Sequence, residues 1–283
     1  FMFLFSSIIF VCKKLESLFG VNRRYCGSHC NFAGLVACLY IKLMRPDMHA
    51  NLPVHVSRKS LLSTVSHYVS HGFCTYTSGT VPVEKAPKLI KKFAQQYDIL
   101  DTKNDFDRKR RRGLARSRLV LFQPQHQLDH PSLSESLHFI LLSTSGTGPV
   151  QELEQMSEVK PGQPLKYDKF ILRRESGMRG GGRDKGSWSW FLNQAFYKDV
   201  RESCIHAVRM RDLKRAKLLT GRLMSYPGFH GIRGQRQAIF RTMKKTAIHA
   251  GHSAESLNFI PDRQFWVRKC RKKTVPMSLI LGC

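Results

Sequence analysis

The chain has 283 residues, with 47 Lys and Arg against 20 Asp and Glu, a formal net charge of +27 and a sequence pI of about 10.2. Hydrophobic residues make up 42% and aromatic residues 10%. That is too much for a wholly disordered basic tail, and collagen-like, coiled-coil and simple repeat compositions are excluded. The charge demands a polyanion or an anionic surface as partner, with nucleic acid first and an anionic membrane face second.

Residues Phe1 to Cys12 are almost wholly apolar and are followed by Lys13 and Lys14. The run is too short to span a bilayer. Its charge follows the apolar stretch instead of preceding it, the reverse of a secretory signal. Residues 1–47 are expected to be an upstream or apolar leader that the mature protein need not keep. Half of the eight cysteines fall in the first 40 residues, a distribution unlike a disulfide scaffold, so the thiols are expected reduced. Cys26-Gly-Ser-His29-Cys30 has the look of half a zinc site. No second Cys pair at ligand spacing follows, so no metal is expected.

From Met48 to Val83 there is no Asp or Glu. Leu61, Leu62, Val65, Tyr68 and Val69 fall on one face of a helix. An acid-free, Ser-rich, basic amphipathic stretch describes a mitochondrial transit peptide, and 48–83 is expected to be one.

Residues 84–164 are expected to be a basic arm and linker. Leu89, Ile90 and Phe93 predict a short amphipathic helix within Lys85–Tyr97. The run Arg108, Lys109, Arg110, Arg111 and Arg112, with Arg116 and Arg118 behind it, predicts an arm that orders only against phosphates. Leu119–Phe122 and Leu137–Leu142 are apolar runs whose length suits strand or helix. Ser143–Gly148 reads as a loop. A domain boundary is placed near Pro164.

Residues 165–283 are expected to be a basic helical RNA-binding module. Arg179 and Arg183 flank three glycines that let a backbone approach phosphate closely. Trp188, Leu192, Phe196, Val200, Cys204 and Val208 recur at i+4 and predict one long helix from about Trp188 to about Met224. Its other face carries Arg209, Arg211, Lys214, Arg215 and Lys217. Tyr226-Pro227-Gly228 ends it. A second helix is predicted from about Gln235 to about Ala250, with Arg236, Arg241, Lys244 and Lys245 on one side. The tail sets Phe265 and Trp266 among Arg268, Lys269, Arg271, Lys272 and Lys273, a mixture suited to stacking on unpaired bases.

The segment Pro227-Gly-Phe-His-Gly231-Ile-Arg233-Gly-Gln235-Arg236-Gln237-Ala-Ile-Phe-Arg241-Thr-Met-Lys244-Lys245-Thr-Ala247 resembles the closing motif of small-subunit ribosomal protein eighteen, bacterial type. Leu218-Leu219 and Ser225 match the helix before it, and Phe259-Ile260-Pro261 the ending after it. The resemblance spans residues 212–262. The same stretch also resembles, less closely, large-subunit ribosomal proteins seventeen and twenty. The resemblance implies a small module that binds ribosomal RNA beside small-subunit protein six, with Arg233, Gln235, Arg236, Arg241, Lys244 and Lys245 facing RNA.

Twelve histidines are present, but no His-Glu-x-x-His, no Gly-x-Ser-x-Gly elbow and no dinucleotide fingerprint. No catalytic residue, cofactor or small-molecule substrate is expected. The sequence therefore predicts a mainly α protein, a small basic helical module with long extended or disordered arms. Its expected role is a structural constituent of the mitochondrial ribosome, in the matrix, with ribosomal RNA and neighbouring ribosomal proteins as partners and no membrane contact. The alternative is a structural accessory subunit of a mitochondrial membrane complex, its amino-terminal apolar runs touching lipid.

Overall fold

A computed structural model describes residues 52–124, 136–160, 162–175, 186–253, 255–261 and 273–281. In chain order, the first part holds β1 (Pro53–His55), α1 (Arg58–Ser70), β2 (Thr75–Pro82), α2 (Ala86–Tyr97), α3 (Lys103–Arg111), β3 (Ser117–Phe122) and β4 (Ser136–Ser143). Then come α4 (Pro149–Leu153), β5 (Ser157–Glu158), β6 (Leu165–Tyr167), β7 (Phe170–Glu175) and β8 (Ser187–Leu192). The last part holds α5 (Gln194–Arg209), α6 (Leu213–Ser225), α7 (His230–His249), β9 (Thr274–Pro276) and α8 (Met277–Leu281).

The apolar runs around Leu119 and Leu137 are strands, and they organise a six-stranded sheet of order β5-β2-β4-β3-β1-β9. β3 and β4 pair antiparallel, with Leu119 opposite Leu141 and Val120 opposite Ile140. β1 lies parallel to β3. Successive side chains on a strand point to opposite faces, so a continuous apolar run requires cover on both. On one face Leu121, Leu137 and Leu141 pack with Ile90, Phe93 and Tyr97 of α2, Val150 of α4 and Met277 of α8. On the other, Val120, Phe122, Ile140 and Leu142 pack with Leu61, Leu62, Val65 and Val69 of α1.

Helix α1 is covered a second time. The antiparallel sheet β6-β7-β8 supplies Leu165, Phe170, Leu172, Trp190 and Leu192 to the same core. Beyond that sheet, α5, α6 and α7 form a three-helix bundle around Cys204, Val208, Ala216, Leu223, Ile239 and Met243. The bundle docks through the start of α7. Gly231 lies against the Phe191 ring, and its N–H donates to Ser189 Oγ at 2.9 Å.

This architecture overturns the mainly α expectation: the fold is mixed α/β, with two sheets. Segment 48–83, expected as a transit peptide, supplies β1, α1 and β2, and the face read as an address is buried in the core. Segment 84–164, expected as an arm and linker, contains the two central strands. The cationic run within it is ordered without phosphate, in α3. Thr102 and Asp105 form a capping box at its N-terminus, with Asp105 N–H on Thr102 Oγ1 and Thr102 N–H on Asp105 Oδ2.

The single helix from Trp188 to Met224 is instead a strand and two helices. Ser-Trp-Ser-Trp alternates with period two, and that outranks the i+4 spacing of Trp188 and Leu192. Asn193 then caps α5, its Oδ1 accepting the Phe196 N–H at 2.8 Å. Arg211 takes a left-handed φ of 56° and ends the run, and Asp212 caps α6 through the Arg215 N–H. The second helix begins at His230, earlier than Gln235. No separation of cores occurs near Pro164, because Leu165 and Trp190 share one cluster with Leu61 and Val120. The leader at 1–47, with Cys26 and Cys30, lies outside the described residues.

Candidate nucleic-acid interface

The C-terminal ends of α5 and α7 meet. His252 Nε2 donates to the Val208 carbonyl at 3.0 Å, and Arg211 Nη2 to the Ala250 carbonyl at 2.8 Å. The tight connection at 210–212 brings the start of α6 to the same end. One end of the bundle thus gathers Arg209, Arg211, Lys214, Arg215 and Lys245, with Lys217 and Arg241 further along α6 and α7, all of them exposed.

Neither α6 nor α7 contains a single Asp or Glu. The acids of the bundle are Asp199, Glu202 and the capping Asp212. Arg209, Lys214, Arg215, Lys217, Arg241 and Lys245 make no ion pair among the described residues, and Lys198 reaches Glu202 only at 4.0 Å. Uncompensated cations at this density raise the local concentration of polyanions. Met210 and Ile248 stand at this same end, 68% and 69% exposed. Exposed apolar side chains among cations can press against bases while the cations hold phosphate.

Two residues expected to face RNA do not. Gln235 bridges α7 to β8: its Oε1 accepts the Leu192 N–H at 2.8 Å and its Nε2 donates to the Leu192 carbonyl at 3.1 Å. Arg236 is 2% exposed and donates to the Leu223 carbonyl at 3.3 Å. Burial, then the neighbouring Arg233, pushes its guanidinium below the ordinary arginine range. Arg233 and Lys244 are half-buried. A helix in a bundle must turn one side inward, and here that side takes part of the basic set.

The run that closes α3 divides in the same way. Arg108, Arg110, Arg111 and Arg112 are exposed, at a helix C-terminus where cations are favoured. Lys109 is turned in, its ammonium paired with Asp98 at 2.9 Å and with Asp101. Arg118 lies 4.0 Å over the Phe106 ring and donates to the Ile99 carbonyl. Arg116 approaches the rings of Phe73 and Phe106. Lys273 is exposed beside β9. Arg179, Arg183, Arg268, Lys269, Arg271 and Lys272 lie outside the described residues.

Sequence reading missed a second basic site. Arg58 and Lys59 lie within the stretch read as an address, and nothing in the pattern distinguishes Lys169. These three line a cleft of about 560 Å³ with Phe170, Met224 and Tyr226. Among the described residues, no three or more His, Cys, Asp or Glu side chains are grouped to hold a metal ion, and no helix is long and apolar enough to cross a membrane. Comparison with protein-family models, with curated proteins and with solved structures finds no match.

Proposed function

We propose that the chain is a non-enzymatic nucleic-acid-binding protein, with RNA as the favoured partner, and that the bundle end formed by α5, α6 and α7 is its main contact surface. The observation that carries this reading is two acid-free helices whose exposed Lys and Arg side chains make no ion pair among the described residues. The mechanism is counterion release, with the α/β layers acting as a rigid mount for the basic bundle. If about six to ten phosphates are neutralised, affinity for RNA falls by roughly 10³ to 10⁵ between about 50 and 200 mM salt. A titration of the purified chain against single-stranded and hairpin RNA over that range tests it. Binding that ignores salt, or no binding at the low end, overturns it.

The narrower reading is a structural constituent of a ribosome, the mitochondrial one, in the matrix. It is supported by the resemblance over 212–262 and by the cation excess. Two findings weaken it: Gln235 and Arg236 turn inward, and the transit-like segment is core. Sedimentation of the tagged protein from a cell lysate, with and without ribonuclease, decides it. Co-migration with a ribosomal subunit that collapses after ribonuclease supports it, and migration elsewhere sinks it while leaving RNA binding to the titration.

A further inference from the structure

The cleft lies at the other end of the bundle, about 30 Å from the basic end by the length of a 20-residue helix. It opens between the start of α1, the β6–β7 turn and the connection from α6 to α7. Its three cations come from distant parts of the chain. Arg58 and Lys59 stand on the first turn of α1, and Lys169 on the turn. The carboxylate beside them, Asp168, pairs with Arg58 at 3.4 Å. Lys59 and Lys169 make no ion pair among the described residues.

The Lys169 ammonium is held in place. It sits 4.5 Å from the Tyr226 ring centroid and 4.9 Å from that of Phe196. Burial first, and Arg58 second, push it below the ordinary lysine range. A positioned cation that is partly desolvated beside a second cation gains from an anion between them. Ser57, which precedes α1 and lines the cleft, makes no side-chain cap, so the first N–H groups of α1 are uncapped there. The cleft also lies just past the C-terminal end of β1, where the chain passes into α1.

We propose that this cleft receives a phosphorylated nucleotide unit, its phosphate on Arg58, Lys59 and Lys169 and its base against Tyr226 and Met224. The volume is that of a small-ligand site. The proposal rests on the nucleic-acid reading only for its preferred source, the 5′ end of a strand. A free nucleoside monophosphate offers the same chemistry, and the experiment separates the two.

The full chain is titrated with one short single-stranded RNA in 5′-phosphoryl and 5′-hydroxyl forms, and AMP is tested by thermal shift. The 5′-phosphate is expected to tighten binding about tenfold, and Lys169→Gln to remove that gain while leaving the 5′-hydroxyl strand bound as before. Lys59→Gln serves the same purpose if Lys169→Gln does not fold. A Tm rise with AMP in the parent but not in the variant, without a 5′-phosphate advantage, assigns the site to free nucleotide. If the 5′-hydroxyl strand binds, and neither the 5′-phosphate nor AMP adds anything, the cleft proposal falls and the bundle reading stands. If AMP stabilises the chain but no strand binds, the bundle reading falls and the cleft stands.

Discussion

Trp190, on β8, donates its indole N–H to the carbonyl oxygen of Leu62, in the middle of α1, at 2.7 Å. Neither residue is exposed: both are at 0%. The bond ties the small sheet to a helix that also lines the large one. Trp190→Ala removes the largest buried side chain of this core and should cost about 3–5 kcal/mol, as other aromatic truncations do. A loss below about 1 kcal/mol in urea unfolding would mean the layers are not packed as described.

The same relationship bears on the address. A chain starting at residue 84 lacks β1, α1 and β2, and with them Leu61, Leu62 and Val65 of the core. We expect it to be insoluble or unfolded, whereas a chain starting at residue 49 should still melt cooperatively. A stable, cooperative product from residue 84 would restore 48–83 as a removable leader.

What the sequence made legible was local. The i, i+3, i+4 spacing within Lys85–Tyr97 marked α2, and the Gly/Ser/Thr cluster marked the loop after β4. What it concealed was whatever depended on neighbours far along the chain. The apolar face of α1 looks identical whether it meets an import receptor or two sheets. Lys109 stands in a cationic run that reads as solvated, and only the fold brings Asp98 and Asp101 to it. Gln235 and Arg236 share a basic helix with Arg241 and Lys245, and periodicity alone does not say which side meets β8. In the same way, the cleft joins Arg58 to Lys169 across more than a hundred residues of sequence, with no motif linking them.

Two glycines of α7 should respond to alanine with opposite signs. Alanine in a helix interior is favoured over glycine by about 1 kcal/mol. At Gly234 nothing lies within 4 Å of the position a Cβ would take, so Gly234→Ala should stabilise by about 0.5–1 kcal/mol. At Gly231 that Cβ would stand 2.5 Å from the Phe191 ring. The ring is 5% exposed, and the Arg173 guanidinium lies 3.9 Å from its centroid, so it has little room to move. Overpacking of about 1–3 kcal/mol then outweighs propensity, and Gly231→Ala should lower the urea midpoint. Equal and positive shifts from both would show that α7 does not dock on β8.

Substitutions on α7 should also separate binding from folding. Lys245→Gln and Arg241→Gln remove exposed charges, and each should reduce the slope of log K against log salt by about one without changing Tm. Gln235→Leu should do the reverse. It leaves the Leu192 N–H and carbonyl without their partner, at a cost of about 1–3 kcal/mol for buried groups left unsatisfied, while the salt slope of the folded fraction stays the same. A changed slope for Gln235→Leu would place that side chain on the nucleic acid after all.

Cys204 gives a pH signature to the bundle core. Its thiol is buried among apolar side chains, and burial pushes it up to about 11. The unfolded thiol titrates near about 8.5, so the folded state favours the neutral form. That contribution is fully present below the unfolded value and is lost as pH rises through the folded one. Stability should therefore fall between about pH 8.5 and pH 11, and Cys204→Ala should flatten part of the fall. Tyr167, pushed by burial to about 12, and Tyr97 and Tyr226, also raised chiefly by burial, contribute to the remainder at the upper end. Peptide mapping after iodoacetamide at pH 8 should find Cys204 unmodified in the native chain and modified in urea. Rapid native alkylation at Cys204 would contradict its place in the core.

Within the basic run, Lys109 and Arg110 are neighbours with opposite roles. The Lys109 side chain is 20% exposed and holds both Asp98 and Asp101. Burial alone would lower its ammonium, but the two carboxylates outweigh burial and leave it raised. Asp101 is itself pushed up, chiefly by burial, against the pull of Lys109. Removing the lysine therefore leaves a partly buried carboxylate without its cation, and Lys109→Met should cost about 1–3 kcal/mol at pH 7. Protonating Asp101 relieves that penalty, so the difference between the variant and the parent should shrink as pH falls through the carboxylate range. Arg110→Met touches no partner among the described residues and should shift stability by less than about 0.5 kcal/mol at either pH, while weakening RNA binding at low salt. If both variants lose stability equally, or if the Lys109 penalty persists unchanged at low pH, the ion pairs are not what holds α3 to the connection from α2.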